Sequence, residues 1–177
     1  TSGAMEGHYF PVTQNTTNQI TLDLGEYNLS GVVAGDRVSI HPYWTLKTLF
    51  ADGQGVHGSA SVFFRNTEIM IPNFNLVGIN PSAAKTYYYL TNASGGTWRL
   101  FGQSGDYGDD VLLPDVYLIV RHNLDVDTTL TISGKAVCSK WAIGLSTASG
   151  SKVDNVIGLP RPDDVTLNDS GLISSGA

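Results

Sequence analysis

The stretch from Lys85 to Gly105 constrains the fold more than any other part of this chain; it runs Lys-Thr-Tyr-Tyr-Tyr-Leu-Thr-Asn-Ala-Ser-Gly-Gly-Thr-Trp-Arg-Leu-Phe-Gly-Gln-Ser-Gly. Aromatic and β-branched residues fit a pleated, half-buried surface, and Asn92-Ala-Ser-Gly-Gly96 supplies residues that tolerate the positive φ of a hairpin loop. The stretch therefore reads as two strands joined by a small-residue turn, and it sets the class as all-β. Side chains alternate across a strand, so Tyr87 and Tyr89 share one face and Tyr88 takes the other.

Elsewhere the helical period is nearly absent, and short alternating segments lie between clusters of Gly, Pro, Asn and Asp. Strands are predicted near His8–Thr13, Gln19–Leu24, Arg37–Pro42, Ser59–Arg65, Glu68–Pro72, Thr86–Leu90, Trp98–Phe101, Val116–His122, Thr128–Ser133 and Val137–Leu145. About ten strands at this spacing predict an antiparallel sandwich or barrel-like domain. The exception is Trp44-Thr-Leu-Lys-Thr-Leu-Phe50, where Thr45 can cap one short helix with Leu46, Leu49 and Phe50 on one face, placed to plug the open end of a barrel. Residues 1–158 read as the β-rich domain and 159–177 as a connector or assembly tail.

Of the 177 residues, 41% are hydrophobic and only 15% charged, so polarity is carried by Ser, Thr, Asn and Gly. Such a balance suits exported β proteins. The formal net charge of −6 gives no general attraction to phosphate backbones, which argues against nucleic acid as a partner. Cys138 is the only cysteine, so the chain can form neither an internal disulfide nor a multi-cysteine zinc site; its setting suits a buried structural thiol. No apolar run approaches the ~20 residues that cross a bilayer, so membrane insertion is not expected.

Motifs that carry chemistry are sparse. Asp106, Asp109 and Asp110 in Gly105-Asp-Tyr-Gly-Asp-Asp-Val111 offer oxygen donors of the kind Ca²⁺ prefers, without the EF-hand spacing or its distal Glu; a connecting turn is the plainer reading. His8, His41, His57 and His122 show no i, i+4 or His-x-His pairing, so they could meet only through long-range folding. There is no Gly-x-Ser-x-Gly elbow, no phosphate-binding glycine fingerprint and no recognisable pair of catalytic carboxylates. No catalytic or cofactor-binding residue is therefore assigned. Tyr88, Trp98 and Tyr107 are the candidates for stacking on a sugar, weighed against ordinary core packing.

Several segments together resemble a family of uncharacterised, exported, β-rich proteins of Verrucomicrobia-type bacteria. They are Thr1-Ser-Gly-Ala-Met-Glu-Gly-His-Tyr-Phe10, the run from Gly35 to Phe50, Thr86-Tyr-Tyr-Tyr-Leu-Thr91 with Trp98-Arg99, and Asp110-Val-Leu-Leu-Pro114 leading into Ile119-Val-Arg121. The resemblance implies export and a β fold, and it brings no catalytic positions.

The expected function is that of a non-enzymatic extracellular structural protein, a surface or filament subunit that self-assembles by strand addition, its terminal segments pairing with an open sheet edge of the next copy, with copies of itself as partners. Thr1–Gly7 opens close to the first strand and Asp169–Ala177 closes without a terminating element, which reads as a processed portion whose sheet edges are covered by neighbours. A carbohydrate-binding β-sandwich module is the alternative.

Overall fold

The computed structural model describes residues 2–73, 82–93, 95–114, 117–134, 140–145, 147, 149–155, 166 and 168–170. The fold is all-β with one short helix. The strands are β1 (Val12–Asn15), β2 (Ile20–Leu22), β3 (Trp44–Thr45), β4 (Thr67–Pro72), β5 (Ala83–Asn92), β6 (Gly95–Leu100), β7 (Val111–Leu112) and β8 (Ile119–His122); the helix α1 spans Leu46–Leu49. Pairing gives a β1–β2 sheet, a β3–β7 sheet and a four-stranded antiparallel sheet in the order β6-β5-β4-β8.

The predicted hairpin is present and longer than expected. β5 and β6 pair from Tyr87↔Leu100 to Asn92↔Gly95, and Gly95 takes φ +120° at the turn. Gly96 is required for a different reason, because a Cβ there would stand 2.1 Å from Cζ of Tyr89. The pairings Ile69↔Tyr87, Ile69↔Val120 and Tyr89↔Trp98 place Ile69, Tyr87, Tyr89, Trp98 and Val120 on one face, with Tyr88 on the other.

That face carries the core. Leu46 and Phe50 from α1 and its C-terminus pack with Ile69, Tyr87 and Trp98, and the Phe50 and Trp98 ring centroids lie 5.5 Å apart. Thr45 caps α1 as the sequence predicts, through a reciprocal box. The Thr48 N–H donates to Thr45 Oγ1 at 3.2 Å and the Thr45 N–H to Thr48 Oγ1 at 2.8 Å. Among the described residues no closed barrel forms, so α1 lies on a sheet face instead of plugging a barrel end.

Among the described residues the strands number eight, not ten, and the shortfall has local causes. In the expected strand Ser59–Arg65 only Ser59 bridges to Leu90, and the Ser61 hydroxyl takes the Phe63 N–H, a side-chain bond that competes with a ladder. Arg37–Pro42 enters no ladder among the described residues; at its start Ser2 occupies both the carbonyl and the N–H of Arg37. Thr128–Ser133 also enters none; there Leu130 packs against the core and the Thr128 hydroxyl donates to the Gly55 carbonyl. β3 and β7 are unforeseen, being two residues each and too short to show a period. The expected strand Val137–Leu145 forms no ladder at 140–145, while its residues 137–139, Cys138 among them, and residues 159–165, 167 and 171–177 of the expected tail lie outside the described residues.

The chain divides into two compact units, one of Thr1–His41, Ala136–Gly144 and Leu159–Ala177, the other of Pro42–Lys135 and Leu145–Gly158. The four-stranded sheet and all the buried core side chains above belong to the second. In the first, the β1–β2 hairpin accompanies a ring cluster of half-buried His8 and Phe10 with exposed Tyr27, and Tyr9 stacks on Trp141 at 5.1 Å.

Phe50 is fully enclosed at the centre of the core cluster. Phe50→Ala is expected to cost about 3–5 kcal/mol of unfolding free energy, against about 1 kcal/mol for loss of the cap in Thr45→Ala. Urea denaturation of the two variants beside the wild type measures both, and equal losses would contradict the packing described.

Candidate interaction surface

The aspartate loop acts as a clamp between α1 and the sheet. The Leu46 and Lys47 N–H groups, which have no acceptor within a one-turn helix, donate to the carbonyls of Asp110 (3.3 Å) and Gly108 (2.8 Å). Asp106 Oδ1 accepts the Gly108 N–H at 2.9 Å, the Tyr107 N–H donates to the Trp98 carbonyl at 2.9 Å, and Arg99 Nη1 donates to the Gly105 carbonyl at 2.8 Å. Asp110 turns to β5, where its carboxylate accepts the Tyr87 hydroxyl and pairs with Lys85 Nζ at 3.1 Å. Asp109 is exposed. The three Ca²⁺ candidates thus serve different partners, and among the described residues no group of three His, Cys, Asp or Glu is gathered as a metal set.

Two of the three stacking candidates are packed away from solvent. Tyr88 is 4% exposed and Trp98 3% exposed, so neither offers an open ring face to a sugar; Tyr107 is half-buried, its ring 6.5 Å from that of Tyr87. On the Tyr88 face, the carboxylate of buried Glu68 holds Arg65 Nε at 2.6 Å and Arg121 Nη1 at 3.7 Å.

Folding brings together two histidines that the sequence keeps far apart. The rings of His57 and His122 lie 5.4 Å from centroid to centroid, edge to face. Their partners fix the tautomers. The Val126 carbonyl only accepts, so His57 Nε2, 2.8 Å away, carries its proton. Thr128 spends its hydroxyl proton on the Gly55 carbonyl, so it accepts from His122 Nε2 at 3.0 Å. His122 Nδ1 is then left to accept from the hydroxyl of buried Thr67 at 2.8 Å. Both ring nitrogens of His122 are occupied, which makes it a bridge between β4, β8 and the segment after β8. No local spacing signals such a pair.

What stands open is apolar surface. β8 is an outer strand of its sheet, and its Ile119 and Val120 are 43% and 38% exposed. Next to its C-terminal end, loop 59–66 exposes Phe63 to 82% and Phe64 to 77%. In the other unit Val12, Ile20, Leu29, Val32, Val33, Val38 and Ile40 are all between 38% and 73% exposed, and among the described residues none of the seven buried apolar side chains belongs to it. There the β1–β2 turn and Ile40 enclose an open groove of 590 Å³, with Val12, Ile20 and Ile40 as its apolar wall. No helix among the described residues is long and apolar enough to cross a membrane. The chain matches no family model, no curated protein and no solved structure.

The Tyr87–Asp110 bond generates a pH signature. Burial first, and then the Asp110 carboxylate, keep the Tyr87 phenol protonated well above its usual 10.0. A raised folded-state pKa means that its contribution is complete below about pH 10 and declines as pH rises further. Urea midpoints are expected to hold level through neutral pH and fall above pH 10. Tyr87→Phe should cost about 1.5–3 kcal/mol at pH 7 and flatten that alkaline fall. An unchanged alkaline slope in the variant would contradict the assignment.

Proposed function

We propose that this protein is a non-enzymatic, extracellular structural subunit that assembles with copies of itself by strand addition. The observation that carries the reading is the apolar surface left open among the described residues. Contiguous exposed apolar surface on a soluble chain marks a surface that another molecule covers. Its distribution points to strand pairing. β8 has no neighbour on its outer side among the described residues, and the 37–42 segment has the alternation of a strand, with Val38 and Ile40 73% and 67% exposed, yet no ladder.

An outer strand presents a row of backbone N–H and C=O groups that templates pairing with a further strand. Adding residues 38–42 of one copy to β8 of the next would pair those groups and cover Ile119, Val38 and Ile40 in one step. The low charge density favours association, and the absence of a recognisable catalytic or cofactor motif fits a structural role. Export is part of the same reading, supported by the polar, low-charge composition and by the resemblance to exported β-rich proteins.

A lysine on an outer strand is the usual block to edge pairing. Wild-type chain is expected to form concentration-dependent assemblies in sedimentation velocity, and Ile119→Lys, at an exposed position, to shift the population to monomer with its melting temperature nearly unchanged. A wild-type chain that remains monomeric at high concentration overturns the proposal.

A further inference from the structure

The loop bearing Phe63 and Phe64 is closed and pinned on every side. Ser59, fully buried, donates its N–H to the Tyr89 carbonyl at 2.7 Å and accepts the Thr91 N–H at 2.8 Å. Its hydroxyl accepts the Asn66 N–H at 3.0 Å, and Asn66 Nδ2 donates to the Gly58 carbonyl at 2.8 Å, so the two ends of the loop are tied together. Asn123 Nδ2, just past β8, holds the Arg65 carbonyl at 2.6 Å. The Arg65 side chain is locked to Glu68 and lies over the Phe101 ring at 4.3 Å. The loop therefore holds two phenyl rings in water on a fixed base. Exposing them has a solvation cost that only a partner recovers, and a prearranged base lowers the ordering cost of binding.

We infer that the Phe63–Phe64 knob of one copy seats in the groove walled by Val12, Ile20 and Ile40 of the next. This rests on the self-assembly reading and names the contact that anchors it. Three observations select a second copy as the occupant. The chain itself carries both the protruding rings and an open groove of 590 Å³ in which Val12, Ile20 and Ile40 form an apolar wall beside the polar residues of the β1–β2 turn. The two features adjoin the two strands of the proposed ladder, the knob beside β8 and the groove at Ile40 in the 37–42 segment, so a single contact engages both. The knob and the ladder are also complementary in area, since a stable interface needs roughly 800 Å² per partner and the seated rings supply part of it while the ladder supplies the rest. A lipid surface is the less suitable occupant for a chain of net charge −6. Because knob and groove are different surfaces, the contact is head-to-tail and propagates into a chain of copies or closes into a ring.

Sedimentation velocity of the full-length chain tests this through complementation. Phe63→Ser/Phe64→Ser loses the knob and keeps the groove, while Ile40→Glu loses the groove and keeps the knob. Each alone is expected to be monomeric, with association weakened at least ~30-fold, the effect of removing one anchoring hot spot. Circular dichroism and melting curves like those of wild type show that the variants are folded, and Ile20→Glu replaces Ile40→Glu if the latter melts early. Mixed in equal amounts, the two variants should form a single 1:1 dimer that grows no further, because one good knob meets one good groove. Wild-type-like assembly by the serine variant, or a mixture that stays monomeric, overturns the knob-in-groove contact. If Ile119→Lys dissolves the assemblies and the serine variant does not, strand addition stands and the knob contact falls. A wild-type chain that stays monomeric and binds phosphatidylcholine vesicles through these two phenylalanines overturns both.

Discussion

A helix of one turn has no stability of its own, and Leu46–Leu49 persists only because the rest of its unit supplies what it lacks. Loop 105–112 brings two carbonyls to its N-terminal N–H groups, the Thr45–Thr48 box supplies a third acceptor, and β3 pairs with β7 to hold that loop in place. In return Leu46 and Phe50 reach the face formed by Ile69, Tyr87 and Trp98. Each partner is marginal alone, so the core exists as one cooperative arrangement. The Asp110 carboxylate ties the loop to β5 through Tyr87 and Lys85 at the point where the clamp meets the sheet.

Outside that arrangement the balance between buried and open apolar surface shifts. The first unit has rings in mutual contact and a hairpin, yet its aliphatic side chains from Val12 to Ile40 remain in water to a substantial degree. A chain with little charge has little to keep such surfaces apart. The proposed self-association would remove part of this apolar area from water and complete backbone hydrogen bonds at the same time.

The extent to which the sequence disclosed this fold follows from how local each signal is. The β5–β6 hairpin was legible because aromatic alternation and a small-residue turn lie within one continuous stretch, and α1 because its cap and its apolar face lie within a few residues. β3 and β7 carry no pattern at two residues each, and their pairing depends on the loop between β6 and β7. Arg37–Pro42 and Thr128–Ser133 have the alternation of strands but do not pair, since alternation describes which face is apolar and not whether a neighbour is present. Tyr88, Trp98 and Tyr107 were visible as aromatic residues, while their enclosure depends on residues from several elements. The His57–His122 pair has no local mark at all.

The amino-acid order by itself determined the all-β class, the central hairpin, the capped turn at Thr45 and the low charge. These follow from steric preferences and side-chain chemistry acting over a few residues. Only tertiary structure decided that the aspartates at 106 and 110 serve as turn and clamp residues, that two histidines share one hydrogen-bond network, and that Phe63 and Phe64 stand in solvent on a pinned loop. Burial and pairing are relations between segments distant along the chain, and the free energy that settles them exists only when those segments meet.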